Sequence, residues 1–303
     1  MNLVLVRLGR LTPHDGCGEG LFPERGDPPA LRWLVGNELR QARVRVGKTQ
    51  ADAAQAVGCS KSKINYLESG RNQQQPEEVR RLLAFYSADP AHIERLVTLT
   101  ERADQQSWWA PFSDIVPKWL KTFVGLEALA QSEFVYEPLL LPGLVQTPDY
   151  AAALLINNLR VAPAGADRVV KLRMARQARL SGNEPLQYHA VIEEPVLNRL
   201  VGGPNVMRAQ LRHLLKLMEQ DNIVLQVMPS CVAVHDGLDG EFTLLTFAEA
   251  LSIGYVEFPA GAVYVQDQDQ VALHSKAADR LSSVALSPTD TAEMIRTYLD
   301  ALP

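Results

Sequence analysis

Gly58 and the residues at fixed offsets from it restrict this chain more than any other feature. Ala54 falls four residues before the glycine, Ile64 six after it and Leu67 three further on, all within Gln50–Arg71, QADAAQAVGCSKSKINYLESGR. Two short helices crossing at roughly 90–120° over a turn of about 3–4 residues need a small residue at their closest approach. Ala54 supplies it. The turn needs a residue that tolerates positive φ, and glycine does so at least cost. Ile64 and Leu67, three apart, share one face of the second helix and seat it on the first. Thr49 and Ser60 stand where the two helices need N-caps. The spacing predicts a helix-turn-helix; the alternative is a helical hairpin with no reading function.

In such a motif the second helix lies in the major groove of DNA with its N-terminal residues on base edges. Its outward positions are Lys61, Ser62, Asn65 and Tyr66, the expected base-reading set. Lysine matches guanine O6 and N7, and asparagine matches adenine N6 and N7. The expected phosphate contacts are Thr49, Gln50, Lys63, Arg71 and Asn72. Gln50 opens the first helix, whose free N–H groups face the DNA backbone. Charge agrees with this reading. Ala30–Gln75 holds eight Lys/Arg against Glu38, Asp52 and Glu68, a segment of +5 in a chain of net −5, which leaves −10 elsewhere. A basic patch hidden in an acidic chain is the electrostatic footprint of phosphate binding.

At 303 residues the chain is long enough for two domains with sizeable cores. No apolar run approaches the ~20 residues that span a bilayer, and the opening MNLVLVRLGR lacks the cleavage site of a signal peptide. Cys17, Cys59 and Cys231 are odd in number and far apart. They imply a reducing, cytoplasmic setting and no disulfide or zinc framework. Cys59 sits in the turn, as a small half-buried residue or, less readily, a redox switch.

Residues 1–29, rich in Gly, Pro and charge, read as a poorly ordered extension. From 30 to 105 the period is helical. Leu31, Leu34, Val35, Leu39, Ala42 and Val46 form one stripe ending at Gly47, and the two motif helices follow. Pro76 opens a fourth helix with Val79, Leu82, Leu83 and Tyr86 inward, and Asp89-Pro90 opens a fifth with Ile93, Leu96, Val97 and Thr100 inward. Trp108, Trp109, Pro111 and Phe112 mark a hinge, read as a docking surface between domains rather than a ligand box. A helix over 126–136 is expected next, then one capped by Thr147 with Pro148 at its first position. A further helix over about 166–180 carries Arg168, Lys171, Arg173, Arg176 and Arg179 on several faces, so salt-bridged or solvated arginines are expected there. From Leu186 the period shifts toward two, predicting strands at 187–194, 223–229, 242–248 and 253–258 with a helix over about 204–220. Helices return at 270–285 and 288–301. The expected fold class is α+β: an N-terminal all-α five-helix domain, a helical segment, and an α+β sheet domain over 106–303 that serves effector or partner sensing and dimerisation.

The segment 30–105 resembles the Cro/cI-like, or Xre-type, DNA-binding fold in its Thr49-Gln50 opening, Ala54, Gly58, Ile64, Leu67 and the E-S-G-R ending. It departs from that pattern at Gln73-Gln74-Gln75, where the family more often has a short basic or proline-containing turn. The phrases LLLPGLVQTPDYA, VIEEPVLNRLVGGPNVMRAQLRHL, VLQVMP and GEFTLLTF, between about 105 and 300, are similar to the long C-terminal domain of an actinobacterial regulator group that includes WhiJ-type and antitoxin-like members. The resemblance implies a transcriptional regulator encoded beside a small partner protein. Its second domain would receive that partner or a small ligand. The alternative it implies is an antitoxin-like protein that sequesters a partner and regulates its own operon.

Catalysis is the third class. His189, Glu193, Glu194, His235, Asp236, Glu241 and Glu257 are the groups that would carry it. A hydrolase site needs such groups to converge, but Glu193 and Glu194 are adjacent and face opposite sides of a strand. His189 and Glu193 share a face, and His235-Asp236-Gly237 reads as a turn. With no Walker loop, GxSxG, HExxH or dinucleotide signature, neither an enzyme nor a cofactor or metal is expected. The expected partners are double-stranded DNA with a palindromic operator, a second copy of the chain, and a small partner protein or ligand, with no membrane.

Overall fold

The computed structural model describes residues 27–101, 107–156, 158, 161 and 163–303. The extension expected over 1–29 therefore lies, through residue 26, outside the described residues, as does Cys17. The first helix already starts at Pro28, with Asp27 as its N-cap: the Asp27 carboxylate accepts a hydrogen bond from Ala30 N at 3.1 Å.

Five helices make the first unit: α1 (Pro28–Arg45), α2 (Gln50–Val57), α3 (Lys61–Glu68), α4 (Pro76–Phe85) and α5 (Pro90–Glu101). Their shared core contains Leu31, Val35, Leu39, Ile64, Leu67, Leu82 and Leu96, all buried. The expected stripes hold except at Val46, which stands 38% exposed because α1 ends at Arg45. Gly36 lets α1 and α3 touch, since a Cβ there would sit 2.7 Å from the Leu67 carbonyl oxygen.

After a 3₁₀ turn at Ala110–Phe112 the second unit runs α6 (Lys118–Leu129), β1 (Ser132–Glu137), α7 (Pro148–Leu155), α8 (Ala166–Arg176) and β2 (Gln187–Glu193). It continues with α9 (Glu194–Asn198), α10 (Pro204–Leu217), β3 (Ile223–Met228), β4 (Phe242–Thr246), β5 (Ile253–Phe258) and β6 (Gly261–Val265). It ends with α11 (Gln268–Val284) and α12 (Pro288–Asp300). The fold class is α+β. The six strands form one sheet in the order β3-β2-β1-β4-β5-β6, parallel from β3 to β1 and antiparallel from β1 to β6. One face carries Val135, Ala190 and Leu245 under α6, α10 and α12, and the other carries Phe134, Tyr136 and Val191 under α11.

The helix expected over 126–136 is a correction. It closes at Leu129, where Ala130 turns extended, and Ser132–Glu137 is a strand at the centre of the sheet. Glu-Phe-Val-Tyr favours a pleated surface, and pairing on both sides decides against helix. Strand β6, which the sequence period does not mark, is a short strand at the sheet edge.

The two units share core. Ala30 and Leu34 of α1 pack with Phe123 and Leu126 of α6, and Trp109 Nε1 donates to the buried Asp27 carboxylate at 2.5 Å. The Glu38 carboxylate, 2% exposed, accepts from Leu251 N at 2.5 Å and lies 3.2 Å from His92 Nε2. Gln41 donates to the Gln266 carbonyl at 2.9 Å. Of the aromatic stretch, Trp109 makes the contact with Asp27, while Trp108 and Phe112 pack with Val116, Val124 and Leu172.

Candidate nucleic-acid interface

Local sequence sets the two motif helices. Thr49 caps α2 in a reciprocal box with Asp52: its hydroxyl accepts from Asp52 N at 3.1 Å while Asp52 accepts from Thr49 N at 2.8 Å. The bond from Thr49 N, and after it one that the Thr49 hydroxyl donates to the same carboxylate oxygen at 2.8 Å, hold the Asp52 carboxyl below the usual carboxylate range. Gly58 closes α2 at φ +71°, the left-handed geometry that stops a helix cleanly. Ser60 caps α3 by accepting from Lys63 N at 3.1 Å. Ile64 is fully buried and Leu67 nearly so, which turns the opposite face of α3 to solvent.

On that face Lys61, Ser62, Asn65 and Tyr66 are all exposed, with Tyr66 at 40%. Behind Asn65 stands a half-buried relay centred on the buried Glu68. Arg43 of α1 donates to both oxygens of Glu68, at 2.5 and 2.9 Å. Gln50 donates to Glu68 Oε2 at 2.9 Å, and the same amide reaches 3.5 Å from Asn65 Oδ1. Bidentate guanidinium–carboxylate pairing is among the strongest and most directional polar contacts in proteins, so Glu68 is a fixed anchor for Gln50 at the start of α2. The bond to Glu68 raises the Arg43 pKa. Burial raises that of Tyr86, with the Glu68 charge adding to it.

The expected phosphate contacts separate into two kinds. Arg71 and Asn72 are exposed just after α3, their backbone N–H groups tied to the Tyr66 carbonyl at 3.0 and 3.4 Å. Thr49, Gln50 and Lys63 carry internal bonds: the cap, the Glu68 contact, and an ion pair from Lys63 to Glu78 of α4. Exposed positive charge also comes from Arg40, Arg45 and Lys48, whereas Arg43 is neutralised by Glu68. Cys59 is half-buried, and burial pushes its thiol pKa up.

Sequence reasoning missed Arg43, Glu68 and Gln74 as organisers of this surface. Gln74 sits in the glutamine run that departs from the family pattern. It is 2% exposed and donates to the carbonyls of Arg32 and Leu67, at 2.9 and 2.8 Å, pinning α1 to α3. The only local signal was an uncharged residue in a loop where a basic one was expected.

In the second unit His189 bonds Gln226 Oε1 at 2.7 Å, and burial lowers its pKa. Glu193 accepts from Tyr136 OH at 2.7 Å and lies 3.4 Å from His235 Nε2. Glu194 accepts instead from Ser230 N and Tyr298 OH, at 2.7 and 2.9 Å. The two carboxylates diverge because the strand stops at Glu193 and α9 begins at Glu194. Asp236 pairs with Arg280 at 2.8 Å, and Glu241 and Glu257 lie on the other sheet face.

Residues 34–96 match a family model described as a helix-turn-helix domain. Residues 120–297 match one described as a domain of unknown function, DUF5753. No curated protein and no solved structure matches the chain. The helix-turn-helix match supports a DNA-binding transcription regulator. Among the described residues no helix is long and apolar enough to cross a membrane.

Proposed function

The chain belongs to the DUF5753 family, and on that premise we propose that it is an Xre-type, sequence-specific transcriptional regulator that binds a palindromic operator as a homodimer and receives an effector in its second domain. The observation that carries the reading is the two-sidedness of α3. Ile64 and Leu67 are buried while Lys61, Ser62, Asn65 and Tyr66 are exposed, on a helix capped at the end that would meet the bases. One recognition helix offers few base contacts. Two of them about 34 Å apart read a palindrome and multiply specificity. Lys61 and Asn65 read base edges, Arg71 and Asn72 hold phosphates, and Gln50 positions Asn65 from behind. The protein works as a binding module rather than an enzyme, in the cytoplasm where its DNA is.

The test is a fluorescence-anisotropy titration of the chain on its own upstream region at two salt concentrations, with and without the product of the adjacent gene. Tight, salt-sensitive binding is the expected result, because neutralised phosphates release counterions. A change caused by the neighbour would make the effector a protein. Binding that is equally weak to operator and random duplex, from folded protein, would refute the reading.

A further inference from the structure

Alternate residues of a strand share a face, so Glu133, Val135 and Glu137 of β1 point together. Tyr136 of β1 lies opposite Phe242 of β4, and the next rung sets Glu137 opposite Glu241. Thr243 lies opposite Tyr255 of β5, the last pair of that ladder, and just beyond it Glu241 and Glu257 both lie close enough to Glu137 to act on its charge. Three carboxyl groups on neighbouring strands thus form one row across an end of the sheet. Beside them is a cavity of about 260 Å³ bordered by all three, by Glu133 and by Tyr188 and Tyr255.

Two buried groups on the cavity wall lack partners. Glu133 Oε2 and the Tyr188 hydroxyl make no hydrogen bond, although their residues are 3% and 2% exposed. A buried polar atom left unpaired is costly, and such atoms facing a cavity mark a place a ligand completes. The charge points to what kind. Arg176 is neutralised by Glu127, which it meets at 2.7 and 2.5 Å. Arg173 donates to Gln146, and Arg179 to the carbonyls of Ala130 and Glu184. The cavity is thus bordered by four carboxyl groups, Glu133, Glu137, Glu241 and Glu257, and by two arginines, Arg173 and Arg176, of which Arg176 is already paired with Glu127. Burial first, then the charge and hydrogen bond of Glu241 and the charge of Glu257, push Glu137 up to about 9, with Arg173 pulling the other way. Burial first, then the Glu127 charge, raises Glu133 against Arg176 and Arg179.

The wall also offers aromatic faces. Phe123 and Tyr255 stack at 4.3 Å between centroids, and the Arg176 guanidinium already lies 5.5 Å over the Phe123 ring. Carboxylates beside aromatic faces form a setting that attracts organic cations. The volume falls just under the ~300 Å³ at which drug-sized pockets begin, which selects a compact occupant. The ring series continues from Tyr255 to Tyr264 at 5.3 Å and from Tyr264 to Trp33 of α1 at 5.2 Å, so the wall is in contact with the helix-turn-helix unit.

We propose that this cavity binds a small organic ammonium, its charge met by Glu137, Glu241 and Glu257 and its apolar body laid along Tyr188 and Tyr255. Naming the occupant as the effector rests on the regulator reading. Its binding does not, so the two fail separately.

The experiment is isothermal titration of the full chain with phenethylammonium, with 2-phenylethanol and phenylacetate as the neutral and anionic counterparts. It is run at about pH 7 and about pH 8.5, in two buffers of different ionisation enthalpy. The amine should bind at least about tenfold more tightly than either counterpart. It should release protons on binding and gain affinity toward the higher pH, because Glu137, raised to about 9 in the free protein, must ionise to receive it. Glu241→Gln should weaken the amine by about tenfold or more. Equal binding of the alcohol, preference for phenylacetate, or no heat with the amine would each overturn the proposal, and none of those comparisons needs a variant that folds.

Discussion

Arg43→Ala removes the partner of a carboxylate that has nowhere else to go. The Glu68 side chain is 4% exposed and that of Arg43 12%. Glu68 takes two hydrogen bonds from Arg43, at 2.5 and 2.9 Å, and one from Gln50 at 2.9 Å. Hydrogen bonds to a charged group contribute about 1.5–3 kcal/mol net, and stripping one member from a buried pair costs about 3–5 kcal/mol. Truncating Arg43 opens a path for water at its own partly exposed edge, so the lower end applies, about 3 kcal/mol. Replacing both residues by methionine should recover most of the loss, because no buried charge remains. The assay is urea unfolding of wild type, the two single variants and the double variant, with midpoint and slope read separately. If Arg43→Ala lay within about 0.5 kcal/mol of wild type, the usual range for an uninvolved surface position, the relay behind Asn65 would not exist as described.

The other expectations concern charge and docking. Arg71→Ala should lower the slope of log affinity against log salt by about 1, whereas Lys63→Ala should leave it nearly unchanged, since Glu78 already neutralises that lysine. Glu137 holds its proton up to about 9 when folded but releases it near 4.3 when unfolded. Between those values the folded chain binds more protons, so the ligand-free protein should lose stability as pH rises from 7 to 9. Glu137→Gln should flatten that fall in a thermal-melt series; an unchanged fall would remove Glu137 from the account. Glu38→Ala should cost about 1–3 kcal/mol by orphaning Leu251 N–H and should expose the contact between the units to protease, with digestion patterns as the readout.

The parts written in local chemistry were legible before the structure. The offsets around Gly58, the caps at Thr49 and Ser60, and the stripes of α1, α4 and α5 all follow from neighbours within a turn. What lay between distant residues was not. Arg43 and Glu68 are 25 positions apart, so Arg43 counted as phosphate-binding charge when its charge is consumed internally. Gln74 looked like a departure from pattern because its two acceptors are on other elements. The helix expected across 126–136 failed for the same reason: the leucines and alanines before residue 130 continue a helical period, and only pairing with β2 and β4 assigns Ser132–Glu137 to the sheet. The carboxyl row is the clearest case. Glu137, Glu241 and Glu257 are scattered in sequence, and the sheet alone puts them side by side.

The most direct test of the regulator reading is selection of bound duplexes from a random-sequence pool by the full chain, repeated with Asn65→Ala and Lys61→Ala. Wild type should enrich a two-fold symmetric motif. Each variant should lose about 1–3 kcal/mol on that motif and relax the base preference at one position in each half-site. Enrichment of the same motif with the same affinity by both variants would contradict the assignment of α3 as the reading helix.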